Sequence, residues 1–254
     1  VSSQYLPVYV GNALNENLEW LPELTAGKAG RKRILAFCQN LRIAGIGELL
    51  MTGLPGEFHL RLHQSGRAYA AWLRNAAEGE RRTGQSPPFF DAIAVGDLEG
   101  AARIAHLSKR TWTQGAEYEE DFLFVEFLMQ RFFLGASAET CELLLRRHEK
   151  ALSGAEDVRL EVCGALQAAD AGGFDEALRR FLSERRDHYE ELARKGGTAP
   201  ELLATEGKLC VEGVALVRLA EGLGMETEED YLYIPSVARE NVSRVFHEDS
   251  WKAL

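Results

Sequence analysis

Apolar residues recur three and four positions apart along nearly the whole chain, the spacing of one helix face, and the alternation of a half-buried strand is almost absent. The exception is Tyr5 to Val10, a short β-like stretch ahead of a helical pattern that begins near Asn12. A long helix is predicted from Arg31 to Met51, with Ile34, Leu35, Cys38, Leu41, Ile43 and Ile46 on one side. Gly45 and Gly47 lie inside it. A glycine costs about 1 kcal/mol in a helix, so the pair predicts a close helix crossing or a local break. Gly53-Leu54-Pro55-Gly56 stops this helix and starts the next, Glu57 to Glu80, whose inner face is Leu62, Tyr69, Trp72, Leu73 and Ala76.

Beyond a polar link from Arg81 to Pro88 the predicted helices are shorter and paired: Phe89 to Val95, then Leu98 to Leu107. Glu117 to Leu134 is apolar on nearly all sides, which predicts a central, buried helix. Ser137 to Leu152 follows, with Ser137 as N-cap. Val158 to Ala171, Phe174 to Leu192 and Pro200 to Leu223 complete the set, Pro200 suiting a first turn and Gly222 and Gly224 a helix end. Gly96-Asp97 and Gly172-Gly173 sit in similar helix–turn–helix surroundings at an offset of 76, the grammar of helical-hairpin repeats. The expectation is an all-α fold: an irregular multi-helix bundle or an array of hairpins, about ten helices in all. It spans 1–254 as one domain, with a possible internal boundary near 81–88.

Composition is that of an ordinary globular chain, 46% hydrophobic and 27% charged over 254 residues. No apolar run approaches the roughly 20 residues of a membrane span, and the first residues show no basic stretch followed by an apolar one. No membrane association and no secretory leader are therefore expected. Cys38, Cys141, Cys163 and Cys210 lie far apart within helical patterns, which predicts buried reduced thiols and a cytoplasmic location. The net charge of −10 is uneven. Residues 1–88 carry 10 Lys and Arg against 7 Asp and Glu, or +3, and residues 89–254 carry 19 against 32, or −13. Such a surface repels phosphates and attracts basic proteins, so a protein partner is expected and nucleic acid is not. Solubility alone would explain the acidity equally well.

No phosphate-binding glycine loop, nucleophile elbow, zinc helix or E-x-x-H pair is present, so no catalytic residues and no cofactor are assigned. His59 and His63 have the i, i+4 spacing of metal ligands, but no third ligand stands beside them in the sequence, and packing is the plainer expectation. Two acidic clusters are the leading interaction candidates. Glu117, Glu119, Glu120 and Asp121 surround Tyr118 at the start of the most apolar helix, where they also suit the helix dipole. Glu226, Glu228, Glu229 and Asp230 lead into Tyr231-Leu232-Tyr233. Acids mixed with tyrosines suit an interface with a basic protein. Trp112, between polar residues, is expected to cap the core between two helices, with an exposed partner contact as the alternative.

The run Phe89 to Leu107, followed by Glu117 to Leu123, resembles the bacterial immunity protein 49 family, as do Gly213 to Ala220 and Tyr233-Ile234-Pro235. The likeness spans most of residues 89–235. It implies an all-α, non-enzymatic protein encoded beside a polymorphic toxin, often a nuclease, which it neutralises by direct binding. The expected partner is thus a basic cognate toxin, blocked by occlusion and steered by the acid-rich C-terminal two-thirds. A helical-repeat adaptor for another protein is the alternative. A metal-dependent enzyme built on His59 and His63 is a third.

Overall fold

The computed structural model describes residues 3–241 and 245–254. These contain eleven α-helices and no strand, only a lone antiparallel bridge between Tyr231 and Ile234. The first three, α1 (Leu6–Thr25), α2 (Arg31–Thr52) and α3 (Pro55–Asn75), form a long antiparallel layer. The β-like stretch at Tyr5 to Val10 is helical. Leu6, Val10, Ala13, Asn17 and Leu24 make one buried face against α2, and burying that stripe outweighs the strand preference of Val8 and Tyr9.

Gly45 and Gly47 mark crossings, not a break. A Cβ on Gly47 would lie 2.5 Å from Val10 Cγ2, and one on Gly45 would lie 3.1 Å from Arg61 Cβ. The missing side chains let α1 and α3 pack closely on α2. By length and composition α2 could cross a bilayer, with an 18-residue window of mean hydropathy 1.3, which corrects the expectation that no such run exists. Here 61% of that window is buried in protein, and Arg42 in its middle is tied to Asp91.

α3 stops at Asn75, and Glu78–Glu80 is a separate 3-10 turn. The link at 81–88 is packed: Thr83 Oγ1 donates to the Lys109 carbonyl, and Arg81 Nε to that of Ala76 at 3.0 Å. Gly84 lies so close to the next layer that a Cβ would be 2.7 Å from Phe122 N. One buried apolar cluster, from Leu24 to Trp251, continues on both sides of this link.

The short helices α4 (Pro87–Ala94) and α5 (Leu98–Leu107) lead to α6 (Glu119–Phe132), which is buried from Phe122 to Met129. α7 (Ala138–Leu152), α8 (Val158–Ala168) and α9 (Ala171–Lys195) follow as antiparallel neighbours. The expected helix from Pro200 to Leu223 is two: α10 (Pro200–Ala204) and α11 (Val211–Gly222). Thr205 Oγ1 closes the first onto the Glu201 carbonyl at 2.6 Å, and Cys210 N leaves the helical ladder to donate to Tyr233 O at 2.9 Å.

Side-chain caps set several helix starts. Ser137 Oγ accepts from Thr140 N as expected, at 3.2 Å, and Asp97 and Asp170 accept from Gly100 N and Gly173 N at 2.9 and 3.1 Å. These two Asp-capped turns correspond at an offset of 73 (170 − 97), not at the 76 read from the glycines. The described residues 236–241 and 245–254 form a strap across α3. His59 Nε2 donates to Ala238 O and His63 Nε2 to His247 O, each at 3.2 Å, and Gln64 Nε2 reaches Ser250 O at 2.8 Å. Trp251 is buried, edge-on to Phe37.

Candidate interaction surface

At the start of α6, Glu119, Glu120 and Asp121 occupy the first turn, where carboxylates face the positive end of the helix dipole. Tyr118, at the N-cap, is 72% exposed, a large amphipathic side chain standing in water beside them. Glu119 pairs with Arg147 at 2.6 Å and Asp121 with Arg159 at 2.7 Å, both partly exposed. Glu120 has no carboxylate partner among the described residues.

Glu117 stands apart from this group. It is buried, and its carboxylate accepts from Gly84 N at 2.8 Å and Thr113 N at 3.4 Å, while its carbonyl accepts from Trp112 Nε1 at 3.0 Å. Burial raises its pKa above the ordinary glutamate value, although both N–H donors favour the charged form. As a surface contact, Glu117 is therefore corrected. It ties the 81–88 link to the loop before α6, and half-buried Trp112 closes that loop over the core.

The second cluster lies in the loop after α11, and all four acids are exposed. Glu228 pairs with Arg179 of α9, and its backbone N–H donates to the Tyr231 hydroxyl at 2.9 Å. Asp230 Oδ1 accepts from Ser236 N at 2.6 Å, and that bond holds its pKa below the usual aspartate range. Arg239 fastens the loop by donating to the carbonyls of Glu228 and Glu229. The carboxylates of Glu226 and Glu229 have no partner among the described residues, and Leu232 beyond them is 47% exposed. Each cluster thus joins unpaired negative charge to one exposed large side chain.

Asp121 also lines a cleft of about 260 Å³ with Arg42, Arg159, Arg185, Glu206 and Glu212. Arg42 Nε donates to Asp91 Oδ1 at 2.8 Å, and Arg185 Nη2 to Glu206 O at 2.6 Å, so its guanidiniums are largely matched. Burial raises the pKa of Asp91 and of Glu212 despite the nearby arginines. No pattern in the sequence pointed to this cleft, whose residues come from six separate stretches of chain.

The family model for immunity protein 49 matches residues 37–238. The chain belongs to that family. No curated protein and no solved structure matches it. The matched stretch takes in α3 to α11 and both acidic clusters, and it begins within α2.

Immunity protein families are generally non-enzymatic. In this immunity protein the four cysteines, His59 and His63 are packed into the fold. All four cysteines are buried and free, and burial pushes their thiols up, Cys210 to about 11, so they stay protonated at neutral pH. A carboxylate does stand beside the histidine pair, Asp97 Oδ2 at 3.2 Å from His63 Nδ1, but both imidazoles are spent on the strap. No group of three His, Cys, Asp or Glu among the described residues is placed to hold a metal ion.

Proposed function

We propose that this chain binds a cognate protein toxin in the cytoplasm and holds it inactive by covering its active or substrate-binding surface. Membership of the immunity protein 49 family is the observation that carries the reading. The two acidic clusters supply its physical side. Glu120, Glu226 and Glu229 present uncompensated charge, and the net charge of −10 extends the attraction outward. A basic partner, such as a nuclease whose surface is built for phosphates, is drawn to such a face. Tyr118 and Leu232 then offer area that becomes buried on contact, and tyrosine loses little conformational freedom when it does so.

The test is a pull-down with the protein encoded next door, at low and high salt, alongside the toxin's activity. Formation of a salt-weakened complex that abolishes toxicity is expected. Capture of several unrelated proteins, with the neighbouring protein expressed and unbound, would favour the adaptor. Reversing Glu120, Glu226 and Glu229 to lysine together is expected to slow association about ten-fold or more at low salt and to flatten its salt dependence. An unchanged association rate would remove these residues from the steering role.

A further inference from the structure

The cleft beside Asp121 holds more negative charge than its arginines offset. Arg42 donates to Asp91 and to Pro87 O, at 2.8 and 2.9 Å, and stands 3.5 Å from Glu206. Arg159 pairs with Asp157 at 2.8 Å and with Asp121 at 2.7 Å. Arg185 donates to Glu206 O at 2.6 Å and lies over the Tyr189 ring at 4.6 Å. With Glu212, five carboxylates thus stand against three guanidiniums, and each guanidinium already has a partner in the fold. Glu212 has none. Among the described residues its carboxylate makes no hydrogen bond and no ion pair. Neither of its oxygens is sealed within protein, and the side chain lines the cleft.

Glu212 occupies the first turn of α11, where the helix dipole favours an acid. It caps nothing there: the N–H of Gly213 bonds to Cys210 Sγ at 3.3 Å, and that of Val214 to Cys210 O at 3.0 Å. Burial raises its pKa despite Arg159, Arg185 and Arg42, so keeping it ionised costs the free chain stability. Much of the remaining wall is apolar. Phe90 and Phe124 stack at 5.9 Å, and Pro87 and Val125 extend that wall. At about 260 Å³ the cleft falls below the ~300–1,000 Å³ of small-molecule sites, a size that suits one side chain. Asp121, 32% exposed, stands at its rim and joins it to the acidic first turn of α6.

We propose that this cleft receives one lysine or arginine side chain of the basic partner, its alkyl stem against Phe90 and Val125 and its cation on Glu212. The excess of carboxylates selects a cation, and the apolar wall selects one carried on a hydrocarbon stem. A charge pair closed off from water in this way governs dissociation, whereas Glu120, Glu226 and Glu229 at the surface govern approach. That the side chain belongs to a toxin rests on the proposed function; the preference of the cleft for such a group does not.

Two measurements on the full chain test it, both with Glu212→Gln. In the first, amide NMR follows titration with N-acetyl-lysinamide and with its Nε-acetylated, uncharged analogue. Saturable shifts at Phe90, Val125 and Glu212 are expected with the charged compound alone, and are lost in Glu212→Gln. No saturable shift, equal shifts with the uncharged analogue, or shifts that survive in Glu212→Gln overturn the site. In the second, the complex with the protein encoded next door is followed by surface plasmon resonance. Glu212→Gln is expected to dissociate about ten-fold faster or more, with its association rate unchanged. Dissociation at the parent's rate overturns the anchoring role. The variant should melt no lower than the parent, since it loses a buried charge that nothing in the chain bonds; a lower melting temperature would mean that Glu212 serves the fold and overturns the proposal. If the neighbouring protein does not bind the parent at all, the toxin reading falls, and the lysinamide titration alone decides the cleft.

Discussion

Replacing Asp97 removes three hydrogen bonds and a histidine contact at once, and their separate contributions can be told apart. Oδ1 accepts from Gly100 N at 2.9 Å and Arg67 Nη2 at 2.7 Å, Oδ2 accepts from Arg67 Nε at 2.7 Å, and His63 Nδ1 lies 3.2 Å from Oδ2. The Asp97 and Arg67 side chains are only 7% and 8% exposed. Losing the α5 cap costs about 1 kcal/mol. Stranding a buried arginine costs about 3–5 kcal/mol, and Glu99, 3.1 Å from Arg67, keeps this near the lower end. Asp97→Ala is therefore expected to lose about 4 kcal/mol, a large part of the ~5–15 kcal/mol typical of folded proteins. Asp97→Asn keeps an acceptor for Gly100 N, so it should recover about 1 kcal/mol of that loss. Urea unfolding followed by circular dichroism measures both. If both variants lie within about 0.5 kcal/mol of the parent, the reasoning fails, and equal losses would refute the cap's share.

The same carboxylate has a pH signature. Burial alone would raise its pKa, but hydrogen bonds from His63, Arg67 and the Gly100 N–H outweigh burial and hold it below the ordinary 3.8. Its stabilisation is thus complete above the unfolded-state value and is lost as pH falls through the lower folded value. Unfolding between pH 5 and pH 2 should be steeper with pH in the parent than in Asp97→Asn.

Gly84→Ala should lose about 1–3 kcal/mol in thermal unfolding, because the new Cβ meets backbone at Phe122 N, 2.7 Å away, and rigid neighbours cannot give. Unchanged stability would show that the 81–88 link adjusts freely. Trp251→Ala should lose about 3 kcal/mol and speed hydrogen exchange along α3, since the strap would lose its largest buried anchor. Exchange confined to the strap itself would mean that α3 stands without it.

Much of the helical layout was legible because its cause is local. Leu98–Leu107 was read to the residue, helped by Gly96 and by Asp97, whose side chain caps the helix. The Gly45 and Gly47 crossings followed from the cost of glycine in a helix. What escaped depended on distant chain. Tyr5 to Val10 looks extended until α2 supplies a face to cover. Pro200 to Leu223 reads as one helix until Tyr233 draws Cys210 out of it. The acidic clusters were visible as composition, but pairing was not: only the fold shows that Arg147, Arg159 and Arg179 offset Glu119, Asp121 and Glu228 while Glu117 turns inward. His63 looked ligand-poor because Asp97 lies 34 positions away (97 − 63).

The strap over α3 also sets a timetable. His59 waits for Ala238, 179 residues on, and His63 for His247, 184 residues on. At a synthesis rate of ~5–20 residues per second, α3 leaves the ribosome about 10–40 seconds before its cover arrives. Until then Phe37 lacks Trp251, and the helix must rest on its earlier neighbours or on a chaperone. The buried face of α3 is therefore complete only when the last residues have emerged, so slow codons near the 3′ end of the gene would lengthen the interval in which it stands uncovered.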